Sequence, residues 1–291
     1  MNILVTGGNG QLGSELKDLA SNYADFRFFF MDLPELDICN PNELAIFFIE
    51  NNIHTVINCA AYTAVDKAEQ ETEIAEKVNA EGVLNLVNAV AKIKGKLIHI
   101  STDYVFDGNS FLPYQESDEV NPIGVYGNTK RRGELAVINS DIDAIVIRTS
   151  WLYSAYGNNF VKTMLRLGNE RAELGVIFDQ VGTPTNASDL AKVCLDILSR
   201  KTSEKVSDKG NIYHFSNEGV ASWYDFAVAI MDIGEVDCKV KPIETKEYPT
   251  PAKRPYFSVL NKSKIKKDFE IVIPFWRESL EKCISKLNKK I

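Results

Sequence analysis

Tyr126 and Lys130 are the residues of this 291-residue chain whose types and spacing point most directly to chemistry. They belong to the segment Tyr126-Gly127-Asn128-Thr129-Lys130, so on a helix they lie one turn apart on the same face. A phenol with the ordinary pKa of about 10 is a poor proton relay at neutral pH, and a neighbouring ammonium lowers that pKa by stabilising the tyrosinate. The pair is therefore suited to protonating the oxygen of a ketone that hydride reduces. Alone, the pattern occurs by chance in many helices, but Asn121-Pro122 upstream favours a break before a helix here.

A hydroxyl-bearing segment precedes this pair. Ser101 and Thr102 stand at the end of an apolar run, and Asp103 follows them. Because alternate side chains of a strand face opposite sides, only one of the two hydroxyls can face a bound carbonyl. We predict that Thr102 hydrogen-bonds the carbonyl, with Ser101 bonded to backbone or Asp103 acting as a turn residue as the alternatives.

A glycine-rich turn, Thr6 to Gly13, follows the first apolar run and opens a helical pattern. Glycines allow a tight turn and a close approach of the backbone to a pyrophosphate, whose charge the helix N-terminus stabilises. Two glycine patterns overlap in this turn. Gly8, Gly10 and Gly13 match GxGxxG, and Gly7, Gly10 and Gly13 match GxxGxxG. Either spacing predicts a dinucleotide cofactor.

An acidic residue at the end of the second apolar run bears on which cofactor binds. Asp32 lies near the spacing expected for a carboxylate that binds the adenosine ribose, with Asp37 as an alternative and an ordinary solvated Asp as the competing interpretation of either. Arg27 lies inside the run rather than after it, so no clamp for a 2′-phosphate is evident. NADPH or NADH is expected, with a preference for NADH.

These residues must be positioned by alternating strands and helices. We predict strands at 2–5, 26–31, 55–58, 97–101 and 144–148, and helices at 11–20, 41–51, 72–94 and 126–138. The alternation predicts an α/β fold, a Rossmann-type doubly wound parallel sheet, with a smaller C-terminal α/β substrate domain. In such sheets the loops 6–13, 59–66 and 101–108 all lie at the carboxyl edge, where ligands bind.

Beyond Trp151 the pattern loosens and turn residues accumulate. We assign residues 1–150 to the dinucleotide-binding domain, which also includes about 174–215, because a helix at 186–201 and a strand at 211–215 return to the sheet. Residues 151–173 and 216–291 form the substrate-binding domain. The polar segment 201–210 is expected to be exposed.

Bulk composition excludes several classes of function. A net charge of −7 argues against nucleic-acid binding, although local cations could still hold a diphosphate. The five cysteines are widely spaced without a CxxC pair, which predicts small buried thiols and no zinc site. No membrane partner is expected, because a signal peptide and a membrane-spanning run are both lacking. We therefore expect a cytoplasmic protein.

Several blocks together resemble the dTDP-4-dehydrorhamnose reductases, a family of extended short-chain dehydrogenases. They are TGGNGQLG, AAYTAVDKAE, STDYVFDG, YGNTK, RTSWLY, GNNF, DQVGTPT and PTPAKRP, which span the chain from Gly7 to Pro255. The resemblance implies a hydride passing from NADH or NADPH to the keto carbon of a nucleotide-linked 4-keto sugar. It implies Thr102, Tyr126 and Lys130 as catalytic residues.

The resemblance also implies binding residues. The implied cofactor contacts are Gly7, Gly10, Gln11, Leu12, Gly13, Asp32, Asp37, Ile38, Ala61, Tyr62, Thr63, Tyr126 and Lys130. The implied substrate contacts are Thr102, Asp103, Trp151, Asn159, Phe160 and Arg254. Trp151 could instead be a core aromatic residue, and Arg254 could be an ordinary surface residue rather than a clamp for the diphosphate.

One position departs from some relatives, which dimerise through a divalent cation held by acidic residues. Glu15 keeps one carboxylate, but Ser188 supplies only a hydroxyl, although the adjacent Asp189 could substitute. We therefore predict no bound metal and doubt a metal-bridged dimer, leaving a monomer or a homodimer. Two other functions stay open: a sugar-nucleotide epimerase or dehydratase that keeps its cofactor, and a non-catalytic regulatory subunit of the methionine adenosyltransferase type.

Overall fold

The computed structural model describes residues 1–199 and 211–289, so the predicted exposed segment 201–210 lies outside the described residues. The strands are Asn2–Thr6 (β1), Arg27–Met31 (β2), Thr55–Asn58 (β3), Lys96–Thr102 (β4), Asp143–Thr149 (β5), Leu152–Tyr153 (β6), Glu173–Ile177 (β7), Val181–Gly182 (β8), Thr185–Asn186 (β9), Asn211–His214 (β10), Ala221–Ser222 (β11) and Lys239–Ile243 (β12).

The helices alternate with the strands in the first half and follow them less regularly afterwards. They are Gln11–Leu19 (α1), Pro41–Glu50 (α2), Val65–Ala68 (α3), Thr72–Glu76 (α4), Gly82–Ile93 (α5), Val125–Ile138 (α6), Phe160–Glu170 (α7), Ala187–Ser199 (α8), Trp223–Ile233 (α9), Ser263–Phe269 (α10) and Trp276–Asn288 (α11). A π-helical turn, Lys77–Glu81, joins α4 to α5, so the predicted helix 72–94 is one irregular helix. Short 3₁₀ turns cover Ala20–Asn22, Asp103–Val105 and Thr245–Glu247.

A six-stranded parallel sheet organises the first part of the chain. Its order is β10, β5, β4, β3, β1, β2, and each neighbouring pair is parallel. The β1, β3 and β4 strands are almost entirely buried and rich in Val, Ile and Leu, as expected for strands covered on both faces. The predicted α/β fold with a doubly wound parallel sheet is confirmed.

Two apolar cores cover the two faces of this sheet. On one face, α1 and α8 pack together through Leu12, Leu16 and Leu190. On the other face, α2 and α5 contribute Leu44, Phe48 and a series of buried residues of α5. The helix at 187–199 and the strand at 211–214 therefore return to the sheet, as the sequence predicts.

A third core lies outside the sheet and joins α7, α9, α11 and β7. Short strand pairs accompany it: β7 with β12, β8 with β11, and β6 with β9. The N-termini of two of its helices are fixed by side chains, Asn159 on the Lys162 amide and Ser222 on the Asp225 amide. This separate core agrees with the predicted substrate domain, whose boundaries stay a prediction.

Two further expectations concern the cysteines and the lack of a membrane-spanning run. All five cysteines are free; Cys194 and Cys283 are buried, and the other three are partly exposed. Among the helices that the structure describes, none combines the length and the apolar character that a membrane span requires.

Candidate active site

The loops after β1, β3 and β4 open into one cavity of about 830 Å³ at the carboxyl edge of the sheet. This location is where open parallel α/β sheets bind ligands. It receives every predicted cofactor residue except Gly13, and four of the six predicted substrate residues, Thr102, Asp103, Trp151 and Asn159. The sequence-predicted site is thus largely brought together in one place.

The glycine turn is shaped so that two of its members admit no side chain. Gly7 has a φ of +64°, and a Cβ there would lie 2.7 Å from the Ala60 amide nitrogen. A Cβ on Gly13 would lie 2.3 Å from the Gly7 carbonyl oxygen, so Gly13 packs beneath the turn rather than lining the cavity. Gly10 begins α1 and donates its amide to the Gly7 carbonyl at 3.0 Å. Of the two overlapping glycine patterns, the one that starts at Gly7 has its first glycine in the cavity lining, and the one that starts at Gly8 does not. The turn at the N-terminus of α1 fits a pyrophosphate.

Asp32 is tied directly to that turn. Its Oδ2 accepts the Asn9 amide at 3.0 Å and its Oδ1 accepts the Leu33 amide at 2.9 Å. Asp37 lines the same end of the cavity but accepts the amide of Cys39 at 2.8 Å. Within the described residues that line the cavity, Lys130 is the one Lys or Arg, so no cation of the lining lies beside these two carboxylates.

The loop Ala61–Thr63 is held by a residue that the sequence analysis missed. Asn79 accepts the Tyr62 amide at 2.8 Å and donates to the Tyr62 carbonyl at 3.1 Å. Its side chain also donates to the Thr129 hydroxyl at 3.1 Å, which connects the loop to α6. Asn79 lies in the π-helical turn, and an irregular turn in an otherwise apolar helical pattern leaves no clear mark in a sequence.

Tyr126, Lys130 and Thr102 line the cavity together. Tyr126 and Lys130 lie in the first turns of α6, with Gly124 before the helix. Gly127 lets α6 approach the next loop, because a Cβ there would lie 2.2 Å from the Tyr104 carbonyl oxygen. Thr102 ends β4, and its hydroxyl donates to Asp103 Oδ1 at 3.0 Å and lies near the Tyr126 phenol. This arrangement places a phenol, a hydroxyl and an ammonium around one volume.

The pKa of Tyr126 departs from the expected direction. Burial raises it to about 12, the neighbouring Thr102 hydroxyl acts to lower it, and the Asp103 carboxylate raises it further. Lys130, whose ammonium donates to the Ile100 carbonyl at 2.6 Å, is not among the groups that shift the Tyr126 pKa. Burial therefore dominates the pKa of this phenol, and the expected lowering by the Lys130 charge stays a prediction.

Two other titratable groups of the site are shifted by burial. Burial lowers the pKa of Lys130 to about 8, although the carboxylate of Glu134 and the thiol of Cys59 act to raise it. Burial raises the pKa of Asp103 to about 6, and the Thr102 hydroxyl, which donates to its Oδ1, acts to lower it. Shifted groups that share one cleft are typical of sites where protons move.

Trp151 lines the cavity beyond the end of β5, is partly exposed, and packs against the outer core. Its ring stacks on Trp223, which also lines the cavity and which the sequence analysis did not identify. Trp223 begins α9, far along the chain from every motif, so spacing gave no signal for it.

The remaining predicted substrate residues have different surroundings. Asn159 donates to Gln11 Oε1 at 2.9 Å and so connects α7 to the glycine turn. Phe160 lies against Trp223, with ring centroids 4.6 Å apart, and does not line the cavity. Arg254 also lies outside the lining and pairs with Asp66, its Nη2 2.7 Å from Oδ2 and its Nη1 3.1 Å from Oδ1. The binding roles of all three stay predictions.

Glu15 and Asp189 are engaged within the chain. Glu15 is buried and accepts the Ser154 hydroxyl and the Lys286 ammonium, each at 2.6 Å. Asp189 accepts the Asn217 amide at 2.7 Å and the Ser279 hydroxyl at 2.5 Å. Over residues 1–199 and 211–289, no group of three or more His, Cys, Asp or Glu side chains could hold a metal ion. The doubt about a metal-bridged dimer stays a prediction.

Comparisons with known proteins agree with this geometry. The model of the RmlD substrate binding domain family matches residues 1–289. A dTDP-4-dehydrorhamnose reductase of Aggregatibacter actinomycetemcomitans is 41% identical over 285 residues, covering 96% of this chain and 97% of that protein.

Two solved structures are similar throughout. One is a dTDP-4-dehydrorhamnose reductase of Clostridium acetobutylicum ATCC 824, with a TM-score of 0.92 and 43% identity, covering 99% of this chain and all of that one. The other, from Bacillus anthracis str. Ames in complex with NADP, has a TM-score of 0.91 and 37% identity, covering 98% and 99%. The match extends over both the sheet and the outer core, and the chain belongs to the dTDP-4-dehydrorhamnose reductase family.

Proposed function

We propose that this chain reduces the 4-keto group of dTDP-4-dehydro-L-rhamnose to give dTDP-L-rhamnose. The observation that carries the proposal is the meeting of Tyr126, Thr102 and Lys130 in the same cavity as the glycine turn. Family membership supports the substrate, because the relatives bear the name of this reductase. The epimerase, the dehydratase and the regulatory subunit are not favoured.

The cofactor is NADH or NADPH, which supplies a hydride to C4 of the sugar when bound. Gly7, Gly10 and Gly13 shape the turn that receives its pyrophosphate, and Gln11, Leu12, Ile38 and the loop Ala61–Thr63 complete the binding surface. Asp32 favours NADH, because a carboxylate with no cation of the cavity lining beside it disfavours a 2′-phosphate. The related Bacillus anthracis protein was solved with NADP, so the preference needs measurement.

Tyr126 donates the proton that the reduced oxygen requires. A phenol with a pKa of about 12 is fully protonated at neutral pH, which a donor needs, and the Thr102 hydroxyl lines the same cavity. Lys130 lies one helical turn away, where its charge stabilises the phenolate that forms when the proton leaves. Asp103, Trp151, Asn159, Phe160 and Arg254 are proposed to hold or surround the nucleotide sugar.

The setting of the reaction is part of the proposal. We assign residues 1–150 with about 174–215 to the cofactor domain, and residues 151–173 with 216–291 to the substrate domain. The enzyme works in the cytoplasm, binds no nucleic acid, and is a monomer or a homodimer without a metal bridge.

The proposal is tested by a coupled assay that generates the keto-deoxyhexose nucleotide in place and adds each cofactor in turn. Stoichiometric consumption of reduced cofactor with formation of dTDP-L-rhamnose is expected. A cofactor that is not consumed would indicate an epimerase or a dehydratase, and a stable complex with a synthetase would indicate a regulatory subunit.

Tyr126→Phe sharpens the same test. We expect kcat to fall about 10³-fold because only the proton donor is removed, with the Kd of NADH within about twofold of the wild type. Tyr23→Phe is the matched control, since the Tyr23 hydroxyl bonds Asp196 and lies outside the cavity lining. Unchanged turnover in Tyr126→Phe would reject the assignment.

A further inference from the structure

The two tryptophans of the cavity form an unusually close pair. The ring centroids of Trp151 and Trp223 lie 3.6 Å apart with the ring planes 8° from parallel. Aromatic pairs in proteins prefer offset or edge-to-face contacts with centroids about 4.5–7 Å apart. The surroundings must therefore hold this pair face to face.

Three features of the structure hold it. Trp151 has a φ of +47°, in the left-handed region that bulky residues rarely adopt. Gly182 leaves room for the indole, because a Cβ at that position would lie 2.7 Å from Trp151 Cε2. Phe160 packs on the far partner, Trp223, at 4.6 Å. Backbone strain of this kind persists where the surrounding structure over-determines it, and it is concentrated at ligand clamps.

Trp151 follows the strand end that neighbours Thr102, one of the reacting groups. Trp151 is two residues beyond Thr149, and Thr149 is the register partner of Thr102 on the neighbouring strand. Both indoles line the cavity, and they present flat apolar surface with a polar N–H edge. A deoxysugar ring, which has C–H faces and a methyl group as well as hydroxyls, is the part of a nucleotide sugar that fits such a surface.

We infer that Trp223 is a further substrate-positioning residue, which stacks on Trp151 to form a two-indole clamp for the deoxysugar. This inference rests on the proposed function. The cofactor does not depend on the clamp, because the glycine turn, Asp32 and the loop Ala61–Thr63 are built from other segments. Trp223 thus governs the affinity for the sugar nucleotide and leaves the affinity for the dinucleotide unchanged.

The chain provides a matched control, because it has three tryptophans and the third is outside the cavity. Trp276 is buried in the outer core against Phe226, with ring centroids 5.8 Å apart. Trp223→Leu and Trp223→Phe are compared with Trp276→Leu and Trp276→Phe. The measurements are KM and kcat with the keto-deoxyhexose nucleotide, the Kd of NADH, and near-ultraviolet circular dichroism with and without dTDP-L-rhamnose.

We expect Trp223→Leu to raise the KM for the sugar nucleotide about tenfold, with kcat and the Kd of NADH each changed less than about threefold. Trp223→Phe keeps an aromatic ring and restores most of the affinity. In Trp276→Phe the two stacked indoles are the only tryptophans left, so their coupled dichroism signal is isolated, and dTDP-L-rhamnose changes it.

Different results would contradict the clamp and the proposed function. A KM unchanged in both Trp223 variants, or an equal rise in Trp276→Leu, overturns the clamp. If Trp223→Leu does not fold, an isolated indole signal that dTDP-L-rhamnose leaves unchanged in Trp276→Phe overturns it instead. A wild-type protein that does not consume reduced cofactor with the keto sugar overturns the proposed function, and the clamp with it.

Discussion

The two sides of the cavity are built from different material. The glycine-turn side is formed by Gly7–Gly13, Asp32 and Ala61–Thr63 and consists of loops that follow parallel strands. At Gly7 and Gly13 the backbone packs so closely against neighbouring backbone that no Cβ fits. The tryptophan side, formed by Trp151, Trp223 and Asn159, consists of side chains that come from separate segments and meet through aromatic and amide contacts.

The difference indicates how each side tolerates change. Where the backbone must lie in van der Waals contact with a ligand, steric clashes limit which residues can stand there. A single added methyl group then disturbs the contact. Side chains packed in an aromatic cluster can exchange for others of similar volume. We therefore expect variants on the glycine-turn side to act on the cofactor, and variants on the tryptophan side to act on the sugar nucleotide.

The largest effect is expected between the two sides, at Lys130. Lys130→Met should lower kcat/KM about 10³-fold at neutral pH, because the charge that stabilises the phenolate is lost. In the wild type kcat/KM should fall as pH rises through about 8, where the buried ammonium loses its proton. Lys130→Arg keeps the charge and should remove that fall. A wild-type profile that stays flat to high pH would contradict this role.

Asp103 should make stability depend on pH. Its pKa is about 6 in the folded protein, above the ordinary value, so the folded state binds the proton more tightly than the unfolded chain. The stabilisation is complete below about pH 4 and is lost as pH rises through 6, a difference of about 3 kcal/mol in the free energy of unfolding. Urea unfolding of the wild type and Asp103→Asn at pH 4 and pH 7 measures it.

The carboxylate of Asp107, four residues along the chain, is the control for the direction of this pH dependence. The amide of Asn109 and the hydroxyl of Tyr114 hold the pKa of Asp107 below its usual range. Relative to Asp107→Asn, the wild type should therefore become more stable as pH rises. The same pH dependence in both comparisons would refute the assignment to Asp103.

Gly13→Ala probes the glycine-turn side alone. The added Cβ would meet the Gly7 carbonyl oxygen at 2.3 Å, so the turn must shift, and the Kd of NADH should rise about thirtyfold, or about 2 kcal/mol. Gly175→Ala is the control, because its nearest neighbour is a movable Ile243 side chain at 3.2 Å. Isothermal titration with NADH measures both. Equal affinity in the two variants would show that the steric argument fails.

The smallest effect is expected at Arg254, whose partner in this structure is Asp66. If the guanidinium holds the substrate diphosphate, Arg254→Ala should raise the KM for the sugar nucleotide up to about tenfold and leave the Kd of NADH unchanged. Asp66→Asn then releases the arginine and should not raise KM. Equal rises in both variants would assign Arg254 to the ion pair alone.

The sequence predicts the glycine-turn side of the cavity better than the tryptophan side. The strands, the helices of the first half and the loops at one sheet edge follow from hydrophobic periodicity, and Tyr126, Lys130 and the glycines follow from fixed local spacing. Trp223 and Asn79 could not be found this way, because each acts on a residue distant in sequence. The raised pKa of Tyr126 could not be found for a related reason: spacing reveals a nearby charge, but burial depends on the whole fold.

The strand β10 has a consequence for any attempt to divide the protein. It enters the sheet beside β5 after the chain has already passed through α7 and β7, and His214 at its end lies 3.5 Å from the buried Arg148. A fragment ending near residue 150 would leave β5 as an open edge with its polar groups unpaired, a template for association with other chains. The cofactor-binding part should therefore precipitate when expressed alone, and a separately folding version would require the later strand to be grafted back.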